Sequence, residues 1–139
     1  DTVPYRVDFA RSMGFSACSF SEAHNTTVKF AATFDAAGTS DSFNLCTKLC
    51  AKSGVVGMIG IPTDDYISVN PHTMRVKELK IQNVRRANQT LHHCVNHFAG
   101  MSAVVDHMIT HRFELEKVQE AFELVSGKKD KVVKCIIDC

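Results

Sequence analysis

The 139 residues are enough for one ordinary domain with a sizeable core. Sixteen basic and fifteen acidic side chains leave a net charge of +1, which argues against a nucleic-acid partner or an anionic membrane surface. An apolar content of 45% with 22% charged residues excludes wholesale disorder, and no apolar run of about 18 residues is present to span a bilayer.

In chain order, Pro4 suits an early helical position, where its missing N–H costs nothing. Val7, Phe9, Ala10 and Met13 then predict an amphipathic helix closed by Gly14. Phe15 to Phe20 reads as a short strand, and Ser21 to Thr27 as a loop or a single helical turn. The densest signal is Ala32 to Pro62. A short apolar run ends in Phe34-Asp35-Ala36-Ala37-Gly38, and Gly38-Thr39-Ser40-Asp41 supplies a turn and a helix N-cap. Phe43, Leu45, Cys46, Leu49 and Cys50 follow helical spacing as far as Ala51, and Ser53-Gly54 is expected to stop that helix. Val55 to Pro62 is a second, almost continuous apolar run.

Two such runs joined by a helix predict a βαβ unit in a parallel sheet covered on both faces, with a right-handed crossover. Any ligand is expected at the strand C-termini. Gly38 and Gly60 stand at those two ends, where the missing side chain either admits a ligand to the backbone or only shapes the turns.

Thr63 to Asn70 reads as a loop with a short strand around Ile67-Ser68-Val69. Asn70 caps a helix from Pro71 through Met74 to Glu78, and Leu79 to Val84 alternates as a strand. Thr90 to Phe98 predicts a helix ending at Gly100, Ala103 to Met108 another, and Ile109 to Phe113 an extended segment. Leu115, Val118, Ala121, Phe122 and Val125 share one face of a helix that Gly127 ends, and Lys131 to Ile137 is a final strand. There is no internal repeat.

The six cysteines are irregularly spaced and mostly lie in apolar patterns, which predicts reduced, buried thiols in a cytosolic protein. Cys46 and Cys50 are one helical turn apart, but a structural zinc needs four ligands and no second pair stands nearby. His93 and His97 lack the glutamate of a zincin motif, since Cys94 follows the first histidine. No metal site is expected. No basic, apolar, cleavable lead opens the chain, so the glycosylation patterns at Asn25 and Asn88 are read as chance.

Several pieces occur together in a fixed order: Asp1 and Arg6 with the helix RVDFARSMG, then TFDAAG, GVVGMIGIP, NPHTMRVKELKIQNVRR and ITHRFELEKVQEAFELVSGKKDKVV. Together they resemble the second half of a zinc-type medium-chain alcohol or polyol dehydrogenase, nearest the sorbitol dehydrogenase branch. The resemblance covers nearly the whole chain. It implies an α/β fold: a partial Rossmann fold lacking its first strands, with a C-terminal helix–strand return segment. No GxGxxG occurs, and the family's Gly-rich turn would lie upstream of Asp1. The GroES-like domain with the catalytic zinc would lie further upstream. The chain is therefore expected to be a fragment, with 1–100 as the C-terminal part of an NAD-binding domain. Residues 101–139 would then pack on the missing catalytic domain.

The resemblance also implies roles. Asp1 would accept the adenosine-ribose hydroxyls and favour NAD, unless it is merely a charged terminus, and Arg6 would lie along the adenine side. Ala36, Ala37 and Gly38 match backbone positions that border the cofactor. Ile59, Gly60 and Ile61 match the segment beside the nicotinamide. Val84 and Arg85 match the end of the sixth family strand, where an arginine lies near substrate and nicotinamide. Arg86 departs from the aromatic residue of the sorbitol enzymes, which leaves the polyol open. Lys131 matches a residue that pairs with the pyrophosphate, or is a solvated lysine in a basic run. His111 matches a structural or interfacial position.

The implied reaction is hydride transfer between a secondary alcohol and NAD, with a zinc that this chain does not ligate. The chain would hold no catalytic residue and be inactive alone. The expected partners are a small alcohol or polyol and further copies in a cytoplasmic homo-oligomer, with neither nucleic acid nor membrane. The alternative is a noncatalytic interaction or dimerisation module using exposed strand edges. A zinc-free reductase of the same superfamily is a third possibility, against which the NPHTMRVKELKIQNVRR segment argues by resemblance.

Overall fold

A computed structural model describes residues 1–86, 89–98 and 100–139. The glycosylation pattern at Asn88 begins outside the described residues. The elements run α1 (Pro4–Ser12), α2 (Phe20–Asn25), β1 (Phe30–Asp35), α3 (Ser40–Leu49), β2 (Cys50–Met58), α4 (Pro71–Val76), β3 (Lys80–Asn83) and α5 (Leu91–Phe98). They continue with α6 (Ser102–Met108), β4 (Ile109–Glu114), a 3-10 turn (Leu115–Lys117), α7 (Val118–Ser126) and β5 (Lys134–Asp138). They form two compact units: one of Asp1–Phe20 with Gln89–Cys139, the other of the intervening stretch.

The intervening unit is the predicted βαβ, extended by one strand. Its sheet is parallel in the order β1-β2-β3, with Thr33 opposite Val56 and Val56 opposite Ile81. α3 starts cleanly because Thr39 and Ser42 form a reciprocal capping box. Phe43 of α3 joins Cys50 and Val56 of β2 in the core, against which Cys46, Met58, Met74, Leu79 and Ile81 pack. Along β1 the buried Thr33 and Asp35 alternate with Phe34, which is 64% exposed. The sheet is therefore covered on the α3 side and open on the Phe34 side, not buried on both faces as its apolar runs predict.

Three local predictions also shift. α3 ends at Leu49, because Cys50 is already extended; Ser53, at φ 58°, marks instead an irregularity inside β2. No strand forms at Ile67 to Val69, because its backbone groups are taken by α3 side chains. Ser68 N–H donates to Ser40 Oγ (2.9 Å), Ser68 C=O accepts from Asn44 Nδ2 (2.8 Å), and Asn70 N–H donates to Asn44 Oδ1 (3.1 Å). The predicted Asn70 cap does form, with Oδ1 accepting from Thr73 N–H at 3.0 Å.

In the other unit β4 and β5 pair in parallel, and Tyr5 of α1 donates its hydroxyl to the Val132 carbonyl at 2.8 Å. Phe15 to Ser19 is irregular: Gly14 and Phe15 turn their N–H groups back onto α1, and α2 begins where the strand was expected to end. Leu115 opens a 3-10 turn, and on α7 only Ala121 is buried while Phe122 stays 69% exposed. β5 starts at Lys134, not Lys131, because Lys128, Asp130 and Lys131 hold φ near +50°, incompatible with an extended strand. No helix among the described residues is long and apolar enough to cross a membrane.

Candidate functional site

The loops after β1 and β2 meet at the C-terminal end of the sheet, and Asp35 joins them. Its side chain is buried at the end of β1, and Oδ1 accepts the backbone N–H of Ala37 (3.0 Å) and of Gly38 (3.1 Å). Its carbonyl accepts the N–H of Ile59 (2.9 Å) and of Gly60 (2.8 Å) from the other loop. One residue thus fixes both loops with four hydrogen bonds, two of them charge-assisted. Gly38 has φ +73°, and a Cβ there would lie 2.7 Å from the Ile61 carbonyl oxygen. A Cβ on Gly60 would lie 2.8 Å from the carbonyl carbons of Ala36 and Ala37. The two missing side chains are therefore needed for loop-to-loop packing; their space is taken by protein backbone and is not open to a ligand.

Around this knot the surface is apolar and open. Ile59 is 48% exposed, Ile61 is 87% exposed, and Ala36 and Ala37 are exposed beside them. Val84, just past β3, is drawn to the same edge by its N–H bond to the Met58 carbonyl (3.0 Å), and Arg85 follows it on the surface. This edge offers an apolar rim, backbone groups and the exposed Arg85. It can receive a ring on its face and a polar group beside it.

Asp1, Arg6 and Lys131 belong to the other unit. Asp1 Oδ1 accepts the Val3 N–H (2.8 Å), and the terminal amine donates to the Cys18 carbonyl (3.1 Å). Asp1 and Arg6 line a cavity of about 240 Å³ whose other walls include Phe9, Met13, Val104 and Met108. The Arg6 guanidinium lies 5.8 Å from the Tyr5 ring centre, and its buried Nε has no hydrogen-bond partner among the described residues. Lys131 is exposed on the loop before β5.

The thiols behave differently from one another. All six are free, but only Cys50 is fully buried, while Cys18, Cys94 and Cys139 are exposed, so the expectation of buried thiols fails at those positions. Around Cys94 the apolar residues Leu91, Val95 and Phe98 are themselves exposed. Burial, reinforced by the Asp35 charge, pushes the Cys46 thiol up to about 11. It is inert as a nucleophile. His97 Nδ1 is tied to the His93 carbonyl at 2.8 Å. His111 Nε2 meets Asp130 Oδ2 at 3.2 Å. No three His, Cys, Asp or Glu side chains among the described residues stand together as metal ligands.

Asp35 is the residue that sequence reasoning overlooked. The available signal was its place just before Ala-Ala-Gly, where an aspartate commonly bonds the backbone two residues on.

No protein-family model matches the chain, and no curated protein matches it in sequence. Solved structures match its fold. 2R,3R-butanediol dehydrogenase from Bacillus subtilis aligns with a TM-score of 0.81 at 14% identity, over 100% of this chain and 42% of that one. A short chain alcohol dehydrogenase from E. coli CFT073, complexed with NADH, gives 0.81 at 18% identity over 97% and 42%. A Sinorhizobium meliloti 1021 protein assigned as a zinc-binding dehydrogenase and bound to NADP gives 0.81 at 17% identity over 99% and 44%. The chain spans about two fifths of the length of the structures it matches. At these identities the likeness is one of fold: the parallel sheets and flanking helices are of Rossmann type and match a part of these dehydrogenase structures.

Proposed function

We propose that this chain is the cofactor-binding part of an NAD-dependent, zinc-type alcohol or polyol dehydrogenase of the sorbitol dehydrogenase kind, inactive by itself. The observation that carries the reading is the likeness of fold along the whole chain to dehydrogenases, one of them holding NADH and another NADP. The rim of Ile59, Ile61 and Val84 at the ends of adjacent parallel strands agrees with it, since ligands of such sheets gather there.

In this reading residues 1–100 complete the nucleotide-binding domain and 101–139 return onto a catalytic domain. Ala36, Ala37 and Gly38, with Ile59, Gly60 and Ile61, form one apolar wall that excludes water from the nicotinamide, and Val84 extends it. Arg85 reaches toward the substrate oxygen. Asp1 and Arg6 take the adenosine ribose and adenine, and Lys131 the pyrophosphate. We infer NAD in preference to NADP because a carboxylate at Asp1 repels a 2′-phosphate. Bound NAD supplies the hydride acceptor. The described residues do not fit zinc, so that ion is assigned to ligands outside this chain. We further propose a homo-oligomeric parent enzyme in the cytoplasm, whose reducing environment suits six free thiols.

A second reading is a noncatalytic dimerisation module. It draws on β1, which pairs only with β2 among the described residues and so keeps an open edge.

The test compares the protein encoded by the complete gene with the 139-residue chain. It uses calorimetric titration with NAD and NADP, NADH formation from a panel of secondary alcohols and polyols, and sedimentation. NAD binding and turnover by the complete protein, with an Ile61→Asp variant raising the KM for NAD about tenfold, is the expected result. A complete protein that binds neither nucleotide would overturn the enzyme reading. Dimerisation of the chain without nucleotide binding would favour the module.

A further inference from the structure

At the opposite end of the same sheet, where β1 and β2 begin, lies a cavity of about 620 Å³ lined by Lys29, Lys48, Lys77, His24, Asn70 and Thr73, with no carboxylate among its walls. The Lys77 ammonium donates to the carbonyls of Thr47 (2.8 Å), Lys48 (2.7 Å) and Cys50 (2.8 Å), which spends all three of its protons on the C-terminal end of α3. That cation satisfies the last carbonyls of the helix without help from a second lysine. Lys29 nevertheless donates to the same Lys48 carbonyl at 3.0 Å, so two ammonium groups are held within two hydrogen-bond lengths of each other. A third ammonium, on Lys48, is fixed by the His24 carbonyl.

Like charges held this close oppose one another. Burial, and then the Lys29 charge, holds the Lys77 ammonium below the usual lysine range. Lys29 and Lys48 each retain two N–H donors unspent among the described residues, and the Asn70 side-chain amide adds another at the rim. Fixed, surplus, unneutralised donors around a concave space match a tetrahedral dianion with several acceptor oxygens. The cavity is also much larger than one phosphate needs, and its Asn and Thr lining suits a polar organic body.

We propose that this cavity binds a small phosphate monoester, its phosphate seated between Lys29 and Lys48. The site is separate from the nucleotide crevice and does not depend on it.

The probes are inorganic phosphate, glycerol 3-phosphate, chloride at matched ionic strength, and vesicles containing phosphatidic acid. The full chain is followed by amide NMR shifts. Saturable shifts at Lys29, Lys48, Asn70 and Thr73 with both phosphates but not with chloride are expected. The Lys29→Gln/Lys48→Gln pair, which leaves the Lys77 cap intact, should weaken binding at least about tenfold. Either single substitution serves if the pair does not fold. Shifts that follow ionic strength alone, affinity unchanged within about twofold in the variants, or binding only to vesicles would each overturn the proposal.

Discussion

Replacing Gly60 by alanine tests whether the two loops at the strand ends are one packed object. The new Cβ would stand 2.8 Å from the carbonyl carbons of Ala36 and Ala37, against backbone that no side-chain rotation can move away. Relief requires the loops to separate, and the bonds that hold them are those of Ile59 N–H and Gly60 N–H to the Asp35 carbonyl. Overpacking costs about 1–3 kcal/mol, and each backbone hydrogen bond lost adds about 0.5–1.5 kcal/mol. The Gly60→Ala chain should therefore be less stable by about 2–6 kcal/mol, which lowers the urea midpoint by about 1–3 M for a chain of this size. Ala37→Ser, at an exposed position of the same loop, should stay within about 0.5 kcal/mol of the parent and serves as the control. Equilibrium urea unfolding of the three proteins decides the matter. A loss below about 1 kcal/mol for Gly60→Ala, close to the control, would refute the packing argument.

Thr39→Ala removes the side chain that caps α3 and exchanges bonds with Ser42, and should cost about 1 kcal/mol by urea unfolding. The Cys46 thiol gives a pH dependence whose sign follows from its direction of shift, raised from 9.0 to about 11. Below pH 9 both states keep the proton. Above it the unfolded chain ionises first, so stability is lost as pH rises toward about 11, by about 1–2 kcal/mol once solvent screening at this half-buried thiol is allowed for. Unfolding midpoints at about pH 8 and about pH 10 should converge in Cys46→Ala.

What could be read from the chain was chemistry that acts over a few residues. Asn70 before Pro71 announced a capped helix, and Gly38-Thr39-Ser40-Asp41 announced the turn and N-cap of another, although its pairing of Thr39 with Ser42 did not show in the spacing. The strand ends carrying Ala36 to Gly38 and Ile59 to Ile61 stood out as apolar runs closing in glycine. What could not be read depended on partners far along the chain. Ile67 to Val69 looks extended by composition, yet its ladder bonds were pre-empted by Asn44 and Ser40, more than twenty residues earlier. Phe15 to Phe20 has strand-forming residues but, among the described residues, no neighbouring strand to accept it. Within the site, Asp35 resembled an ordinary turn residue, because its second pair of bonds goes to a loop that sequence spacing does not bring near.

That double attachment has a consequence for anyone who would redesign the crevice. Two surfaces clamped through a single carboxylate and a single carbonyl do not vary independently, so substitutions in one loop should be strongly non-additive with those in the other. A graft that exchanges residues 59–61 alone would meet a foreign counterpart across the glycine contact. The two loops and Asp35 form a cassette, and only transplanting them together preserves the shape of the wall they build.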